Sequence, residues 1–209
     1  DLGDLQRPIM DTFAEWEAYR AAGGDRTCVD CHMPALSDRP AARGGVPRPA
    51  HDHRMLGPFD LEFVRQGVGI EAVSLETTPP SATLTLVNQS GHRLPTAEPH
   101  RALVVSLELR DDDGRVLTRD IRRVERVLDL TTLTERPGED TSLGPRERRL
   151  LSLTVAAPPD DKARSARLVV HFVLWDHEDA VARAAGLTRD DLVHTLYERV
   201  LPLSTTGGR

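Results

Sequence analysis

The stretch Ala82-Thr83-Leu84-Thr85-Leu86-Val87 alternates between small or polar residues and larger apolar residues. A period of two places successive side chains on opposite faces of an extended chain, so this pattern predicts a half-buried β-strand. The polar segment Asn88-Gln89-Ser90-Gly91 follows directly and predicts a turn. This strand therefore marks the start of a β-rich region, and the rest of the chain is interpreted outward from it.

Further strands are predicted downstream of this segment. The turn Asp111-Asp112-Asp113-Gly114 joins two of them, because an Asp-Gly pair favours a tight hairpin. Short strands separated by turns predict an antiparallel, immunoglobulin-like β-sandwich over residues 77–209. A short helix is expected from Glu178 to Ala185, and a helix starting near Thr188 competes with a final strand at Thr195–Leu203. The other predicted strands are Ala102–Leu109, one from Val116, Val124–Leu130, Leu150–Val155 and Leu168–Trp175.

The sequence changes character upstream of residue 77, and a separate domain is predicted over residues 1–76. A short helix is expected at Thr12–Arg20, because Thr12 and Glu15 have the spacing of a capping box. Prolines and glycines between Met33 and Pro49 predict a long loop. The predicted fold class is therefore α+β, with a small domain of short helices and long loops followed by the β-sandwich.

The small domain contains the segment Cys28-Val29-Asp30-Cys31-His32, a C-x-x-C-H motif that uses both cysteines of the chain. This spacing is the attachment signature of a c-type haem. The two thiols match two vinyl groups of the porphyrin, and the adjacent histidine supplies an axial ligand to the iron. We therefore predict one covalently bound haem c, held by Cys28, Cys31 and His32.

Other chemistry for these cysteines fits the sequence less well. A thioredoxin-like redox pair opens a helix within a βαβ pattern, whereas this motif is followed by Pro34 and has polar, irregular flanks. A structural zinc site needs a second pair of ligands, but the chain has no further cysteine, and His51 and His53 lack the required spacing. The acidic triplet before Gly114 lacks a ligand-rich loop around it, so it favours a solvated turn over a calcium site.

Charge and hydropathy exclude some classes of protein. The chain of 209 residues has a net charge of −6 and no basic patch with interleaved aromatic residues, which argues against nucleic-acid binding. No apolar run approaches the ~20 residues that a membrane-spanning helix needs. The chain opens with Asp1-Leu2-Gly3-Asp4. Because c-type haem is assembled outside the cytoplasm, we expect that a leader was removed and that the protein is periplasmic or extracellular.

The second axial position of the iron decides the function, because a second strong ligand gives an electron carrier and an open position permits ligand binding or catalysis. We expect His53 to fill it, since a flexible loop long enough to wrap a haem precedes this residue. His92 is the alternative, and otherwise it shapes a turn between the domains. Phe13 and Trp16 share a helix face about a dozen residues before the motif, so we expect them to pack on the haem edge. The further ligand candidates are Met10, His51, Met55 and His100, whereas Met33 is too close to His32, and His171, His177 and His194 are interpreted as structural residues.

Several segments together resemble a known family, the bacterial multihaem c-type cytochromes. The last haem segment of those proteins is similar to Asp11-Thr12-Phe13-x-Glu15-Trp16, Cys28-x-x-Cys31-His32-Met33-Pro34 and His53-Arg54-Met55-Leu56-Gly57. The β-domain that follows in them begins with a segment similar to Asn88-x-x-Gly91-His92-x-x-Pro95-Thr96. The resemblance implies periplasmic or extracellular electron transfer and a distal-ligand role for His53. Those proteins carry several haems, whereas this chain has one motif. We therefore expect either the C-terminal portion of a longer relative or a single-haem subunit docked on other haem proteins.

The leading prediction is therefore an electron carrier with one bis-histidine haem, rather than an enzyme. Since one haem does not form a chain of redox centres, we expect a larger assembly in which other cytochromes or redox subunits supply neighbouring haems. One alternative is a haem enzyme or ligand-binding protein with an open iron position, for which His51, Arg54 and His92 are possible proton donors. Another is a structural subunit whose β-domain docks partners while the haem staples the small domain.

Overall fold

Antiparallel strands form most of the regular structure of this protein. The computed structural model describes residues 10–40, 44–129, 134–136, 139–156, 162–175 and 180–203. The helices within these residues are short: α1 (Thr12–Ala21), α2 (Cys28–His32), α3 (Leu61–Gly67), α4 (Ala180–Ala184) and α5 (Arg189–Leu192). Short helices and antiparallel sheets confirm the predicted α+β class. None of the helices that the structure describes is long and apolar enough to cross a membrane.

The strands within the described residues form two larger sheets and two small hairpins. In chain order the strands are β1 (Ala35–Pro40), β2 (Pro47–His51), β3 (Val68–Thr77), β4 (Pro80–Asn88), β5 (Ala102–Arg110), β6 (Val116–Glu125), β7 (Leu128–Asp129), β8 (Thr134–Glu135), β9 (Arg148–Thr154), β10 (Ser165–Val173) and β11 (Val193–Pro202). The larger sheets have the strand orders β3-β4-β9 and β11-β10-β5-β6, and neighbouring strands in both run antiparallel. The hairpins are β1-β2 and β7-β8.

One hydrophobic core takes side chains from both larger sheets. Leu84 and Leu86 of β4 and Leu103 and Leu107 of β5 are fully buried in it. The side chains of β4 alternate between buried and half-buried positions, which confirms the strand that the period-two pattern predicted. Because the burial of one leucine contributes about 2 kcal/mol, the leucines shared between the sheets are the main apolar contribution to this part of the fold.

The tight turn between β5 and β6 lies where the Asp-Gly pair predicted it. The backbone N–H of Gly114 donates to the carbonyl of Asp111 at 3.0 Å, and the N–H of Asp111 donates to the carbonyl of Arg115 at 3.1 Å. Gly114 has a φ of 76°, in the left-handed region that glycine adopts without steric cost. The predicted strands Ala102–Leu109, Leu150–Val155 and Leu168–Trp175 correspond to β5, β9 and β10.

The prediction of a long loop between Met33 and Pro49 is wrong, because β1 and β2 form a hairpin there. Ala35 pairs with His51, and Pro40 pairs with Pro47 at the other end of the ladder. A two-stranded hairpin has free edges on both sides, where residues without a backbone N–H are tolerated. Prolines therefore excluded a helix from this segment but not an edge strand.

Two element boundaries also differ from the prediction. Asp11, rather than Thr12, caps α1, because its carboxylate accepts a hydrogen bond from the backbone N–H of Ala14 at 3.0 Å. The strand β3 begins at Val68 and pairs with β4, so the sheet starts before the predicted boundary at residue 77. The division into two domains stays a prediction.

The C-terminal elements combine the alternatives that the sequence left open. A short helix, α5, begins one residue after Thr188 and leads directly into the final strand β11. The helix predicted at Glu178–Ala185 is present as α4, and its first two residues lie outside the described residues. The strand predicted at Val124–Leu130 is divided, since β6 ends at Glu125 and β7 covers Leu128–Asp129, while Leu130 lies outside the described residues.

Candidate haem site

The C-x-x-C-H motif forms the helix α2, which presents both thiols within one helical turn. The helix begins with a capping box, in which the Asp30 carboxylate accepts hydrogen bonds from the backbone N–H of Thr27 at 2.7 Å and from its hydroxyl at 2.8 Å. These bonds lower the pKa of Asp30, the backbone bond having the larger effect, so its carboxylate is ionised at neutral pH. Cys28 is exposed and Cys31 is half-buried, and both are free thiols. The local fold therefore leaves both sulfurs available for covalent attachment.

His32 is held in a fixed orientation at the end of this helix. Its Nδ1 contacts the backbone carbonyl of Leu56, and the N–H of Leu56 donates in return to the carbonyl of His32 at 2.9 Å. The ring also packs against Phe63, with ring centres 4.8 Å apart. A carbonyl only accepts, so the proton of the neutral imidazole lies on Nδ1 and the lone pair lies on Nε2. Metal-binding histidines are commonly oriented in this way.

His92 lies in the loop between β4 and β5 and faces the ring of His32. Its Nδ1 donates to the carbonyl of Arg93 at 2.8 Å, which again leaves the lone pair on Nε2. Its own carbonyl accepts hydrogen bonds from Asn88 Nδ2 at 2.7 Å and from Ser90 Oγ at 2.9 Å. Burial lowers the pKa of His92, which favours the neutral imidazole that binds a metal.

The ring centres of His32 and His92 lie 6.3 Å apart, with 31° between the ring planes. A metal–imidazole bond of about 2 Å, with about 1.1 Å from nitrogen to ring centre, separates two opposed rings on one metal by about 6 Å. The two side chains therefore have the spacing of a pair of axial ligands. Among the described residues no group of three or more His, Cys, Asp or Glu side chains converges on a metal site. A haem iron needs only two protein ligands, because the porphyrin supplies four nitrogens.

Both rings line one cavity of about 450 Å³, within the size range of cofactor sites. Cys28 and Cys31 also border this cavity, so the two thiols and the two imidazoles reach the same space. Apolar and neutral polar side chains from α1, α3 and the His92 loop form much of the remaining wall. The residues present therefore fit a covalently attached haem with two axial histidines.

Phe13 and Trp16 line this cavity as well, on the side of α1. Their ring centres are 5.6 Å apart, and Trp16 Nε1 donates to the carbonyl of Arg26 at 3.0 Å. Phe13 is 62% exposed, so the cavity reaches the surface beside it. The structure thus brings both aromatic residues to the cavity, and their contact with a haem edge stays a prediction.

His53, the favoured second ligand from the sequence, lies elsewhere. It is exposed and does not belong to the wall of this cavity as the described residues define it. His51 is also exposed, with its Nδ1 2.7 Å from the carbonyl of Met33. The structure therefore brings the alternative, His92, opposite His32 and leaves His53 at the surface. Although His53 lies close to the motif in the sequence, it does not lie across the cavity from His32.

The other histidines and methionines have surroundings that differ from a ligand site. His100 stacks on Trp175, with ring centres 3.8 Å apart, and His194 Nε2 contacts the carbonyl of Pro58 at 2.9 Å. His171 is buried, and its ring nitrogens form hydrogen bonds with Thr195 and Arg189. Met10 and Met55 are exposed, and His177 lies outside the described residues.

Glu15 is a residue of the site that sequence reasoning did not identify. Its Oε2 accepts hydrogen bonds from the backbone N–H of Arg93 at 3.0 Å and from the hydroxyl of Thr96 at 2.6 Å. The hydroxyl of Thr12 also contacts that of Thr96, at 3.1 Å. Helix α1 is thereby joined to the loop that carries His92. The signal was present in the sequence, since Glu15 and Thr96 both belong to the segments that resemble multihaem cytochromes.

The fold of this chain is similar to that of a solved multihaem protein. The crystal structure of a penta-heme cytochrome c552 from Thermochromatium tepidum matches it with a TM-score of 0.63 and 21% sequence identity. The match covers 94% of this chain and 51% of that chain, so this chain spans about half the length of that cytochrome. No protein-family model and no curated protein sequence matches this chain. The similarity supports a fold like that of multihaem c-type cytochromes, as the sequence segments predicted.

Proposed function

We propose that this protein transfers electrons through one haem c that is attached to Cys28 and Cys31 and ligated by His32 and His92. The observation that carries the proposal is the pair of imidazoles, with ring centres 6.3 Å apart, in a cavity that Cys28 and Cys31 also border. The similarity in fold to a penta-heme cytochrome supports the same class of function. His92 replaces His53 in this proposal because His92 faces the cavity and His53 does not.

The two histidines favour electron transfer over catalysis. A bound haem supplies an iron centre that accepts and releases one electron. His32 and His92 would occupy both axial positions, so no position stays open for a substrate. The carbonyls of Leu56 and Arg93 hold the two rings in place through their Nδ1 atoms, which limits how far the ligands move between oxidation states.

We further propose that the protein works in the periplasm or outside the cell, within a larger assembly of haem proteins. The chain spans about half the length of the penta-heme cytochrome that it resembles in fold, so partner haems would come from another part of a longer protein or from separate subunits. The exposed edge of the cavity at Phe13 supports access for a partner haem. The proposed covalent attachment of haem to Cys28 and Cys31 supports a location outside the cytoplasm, because c-type haem is assembled there.

An immunoglobulin-like β-sandwich is the form we propose for the β-region, with docking of partner subunits as its role. Among the seven long strands of the described residues, β3, β4 and β9 share one sheet, and β5, β6, β10 and β11 share the other. A division of this kind between two antiparallel sheets supports the sandwich assignment. The core shared between the sheets is further support.

Absorption spectra of the oxidised and reduced holoprotein test the axial ligands. We expect six-coordinate, low-spin spectra in both states for the wild type. His92→Ala should become high-spin and bind added imidazole, whereas the matched variant His53→Ala should keep the wild-type spectrum. If His53→Ala loses the low-spin spectrum and His92→Ala keeps it, His53 is the second iron ligand instead of His92. A high-spin wild-type protein that binds added ligands would favour the open-site enzyme or ligand-binding protein.

A further inference from the structure

We infer that Arg101 is a binding site for a carboxylate of the cofactor, a haem propionate, inside the cavity that holds His32 and His92. This inference rests on the proposed function, because it assumes a haem in that cavity. Arg101, in the loop between β4 and β5, borders this cavity, and its charge acts on the neighbouring ring of His92. It also borders a second, apolar cavity of about 320 Å³, so it lies between two spaces of low polarity.

The charge of Arg101 is weakly compensated by the protein. Its Nη1 donates to the backbone carbonyl of Thr96 at 3.2 Å, and that carbonyl is a neutral acceptor. In the described part of the chain no carboxylate lies within ion-pair distance of it, and Glu98 acts on it only at longer range. Burial lowers the pKa of Arg101, which reflects the cost of holding this charge away from water.

Two other half-buried arginines of the described residues have carboxylate partners. Arg167, with a side chain 15% exposed, forms ion pairs with Glu108 at 3.1 Å and with Glu198 at 2.7 Å. Arg93 pairs with Asp140 at 2.9 Å. Charges held partly away from water are often paired in this way, because an unpaired one keeps part of its cost of desolvation. Arg101 departs from this pattern at the one place where a cofactor with carboxylates is proposed to bind.

The chemistry of the cavity wall favours a carboxylate as the missing partner. A guanidinium presents parallel N–H donors that match the two oxygens of a carboxylate. A haem carries two propionate groups at its edge, and the neighbouring wall residues Gln66, Gln89 and Ser90 are neutral. Asp30 also borders the cavity, but its carboxylate is already bound by Thr27. Arg26 is the other arginine at the wall, and it is exposed, so water can solvate its charge.

The test compares Arg101→Gln with Arg26→Gln in the haem-loaded protein. The measurements are the midpoint potential, the resonance Raman bands of propionate bending and the absorption spectrum. We expect Arg101→Gln to keep the low-spin spectrum, to shift the propionate bands and to lower the midpoint potential, because a nearby cation favours the reduced iron. Arg26→Gln should leave the propionate bands unchanged. Unchanged bands and potential in Arg101→Gln, or a shift of the bands in Arg26→Gln alone, would overturn the inference.

A second variant covers the case in which Arg101→Gln does not fold or does not retain haem. Arg101→Lys keeps the charge but loses the paired donors of the guanidinium. We expect it to retain the wild-type potential and to shift the propionate bands, and bands identical to the wild type would contradict the inference. A high-spin wild-type spectrum would instead refute the proposed bis-histidine ligation, so the two failures have different signatures.

Discussion

The carboxylate of Glu15 accepts a hydrogen bond from the backbone N–H of Arg93, the residue directly after His92, at 3.0 Å. The same oxygen also accepts from the hydroxyl of Thr96 at 2.6 Å. Since Glu15 lies on α1 and the two donors lie on the loop between β4 and β5, these bonds connect elements that are far apart in the sequence. Arg93 also supplies the carbonyl that orients the ring of His92. Glu15 therefore acts as a positioning residue for His92.

Replacing Glu15 should loosen His92 as well as weaken the fold. Glu15→Ala leaves the Arg93 N–H and the Thr96 hydroxyl without their acceptor, which should lower the free energy of unfolding by about 1–3 kcal/mol. We expect part of the haem-loaded protein to become high-spin in the same variant. Glu15→Gln keeps an acceptor oxygen and should restore most of the low-spin spectrum. Urea unfolding and absorption spectra measure the two effects.

The matched control for this prediction lies on the same helix. Glu17 is exposed, so Glu17→Ala changes the charge of α1 equally but removes no contact with the His92 loop. We expect it to keep both the stability and the spectrum of the wild type. If Glu15→Ala behaves like Glu17→Ala in both measurements, Glu15 does not position His92.

Local sequence patterns predicted the elements whose causes are local. The alternation at Ala82–Val87 predicted β4, the Asp113-Gly114 pair predicted the turn between β5 and β6, and the C-x-x-C-H spacing identified the cysteines that border the cavity. Each of these patterns depends on the conformation of a few neighbouring residues. The strand β3 was missed for a related reason, since its sequence Val68–Thr77 has a register shift against β4 that interrupts a regular alternation.

The position of His92 could not be read from local patterns. The sequence favoured His53 because it lies in the same predicted domain as the motif, after a loop long enough to wrap a haem, whereas the distance across the cavity depends on tertiary contacts. Asn88, the last residue of β4, holds this loop at the carbonyl of His92, and Glu15 of α1 holds it at the N–H of Arg93. Neither contact follows a periodic pattern, so a single sequence offered His92 only as an alternative.

Asn88 should be essential for the shape of the His92 loop. It is 1% exposed, and its Nδ2 donates to the carbonyl of His92 at 2.7 Å and to that of Gly144 at 2.9 Å. Asn88→Asp replaces these donors by an acceptor of the same shape, so buried carbonyls lose their partners and face a negative charge. We expect the free energy of unfolding to fall by about 2–4 kcal/mol.

A smaller change in the same loop provides the comparison. Ser90→Ala removes a hydroxyl that also donates to the carbonyl of His92, at 2.9 Å, but leaves the Asn88 donors in place. We expect Ser90→Ala to lower the free energy of unfolding by about 1 kcal/mol. Urea unfolding of both variants should rank Asn88→Asp as the more damaging one, and the opposite order would show that Asn88 is not the main anchor.

His171 should make the fold sensitive to acid. Its Nε2 lies 3.2 Å from Arg189 Nη2, which only donates, so Nε2 is the acceptor and the ring is neutral. Nδ1 then donates to the hydroxyl of Thr195, also at 3.2 Å. Burial, reinforced by the charge of Arg189, lowers the pKa of His171 to about 4. A charged His171 would lose this acceptor and face a like charge.

The sign of the pH dependence follows from the two states of the chain. An unfolded histidine has a pKa of about 6.5, so between pH 6.5 and 4 the unfolded chain binds a proton that the folded protein does not. Stability is therefore lost as the pH falls through this window, by about 2 kcal/mol between pH 7 and pH 5. His171→Gln cannot bind this proton. Urea unfolding at both pH values should show a smaller loss in the variant, and equal losses would contradict the assignment.

The shared core predicts unequal costs for two leucines in neighbouring strands. Leu84 of β4 is fully buried between the sheets, whereas Leu150 of β9 is 66% exposed. Leu84→Ala removes the same atoms as Leu150→Ala, but it leaves a cavity in the core that the closely packed neighbouring side chains do not fill. We expect it to lower the free energy of unfolding by about 2–5 kcal/mol, against about 0.5 kcal/mol for the exposed site. Urea unfolding measures both costs, and similar values would mean that the two larger sheets do not share the core in solution.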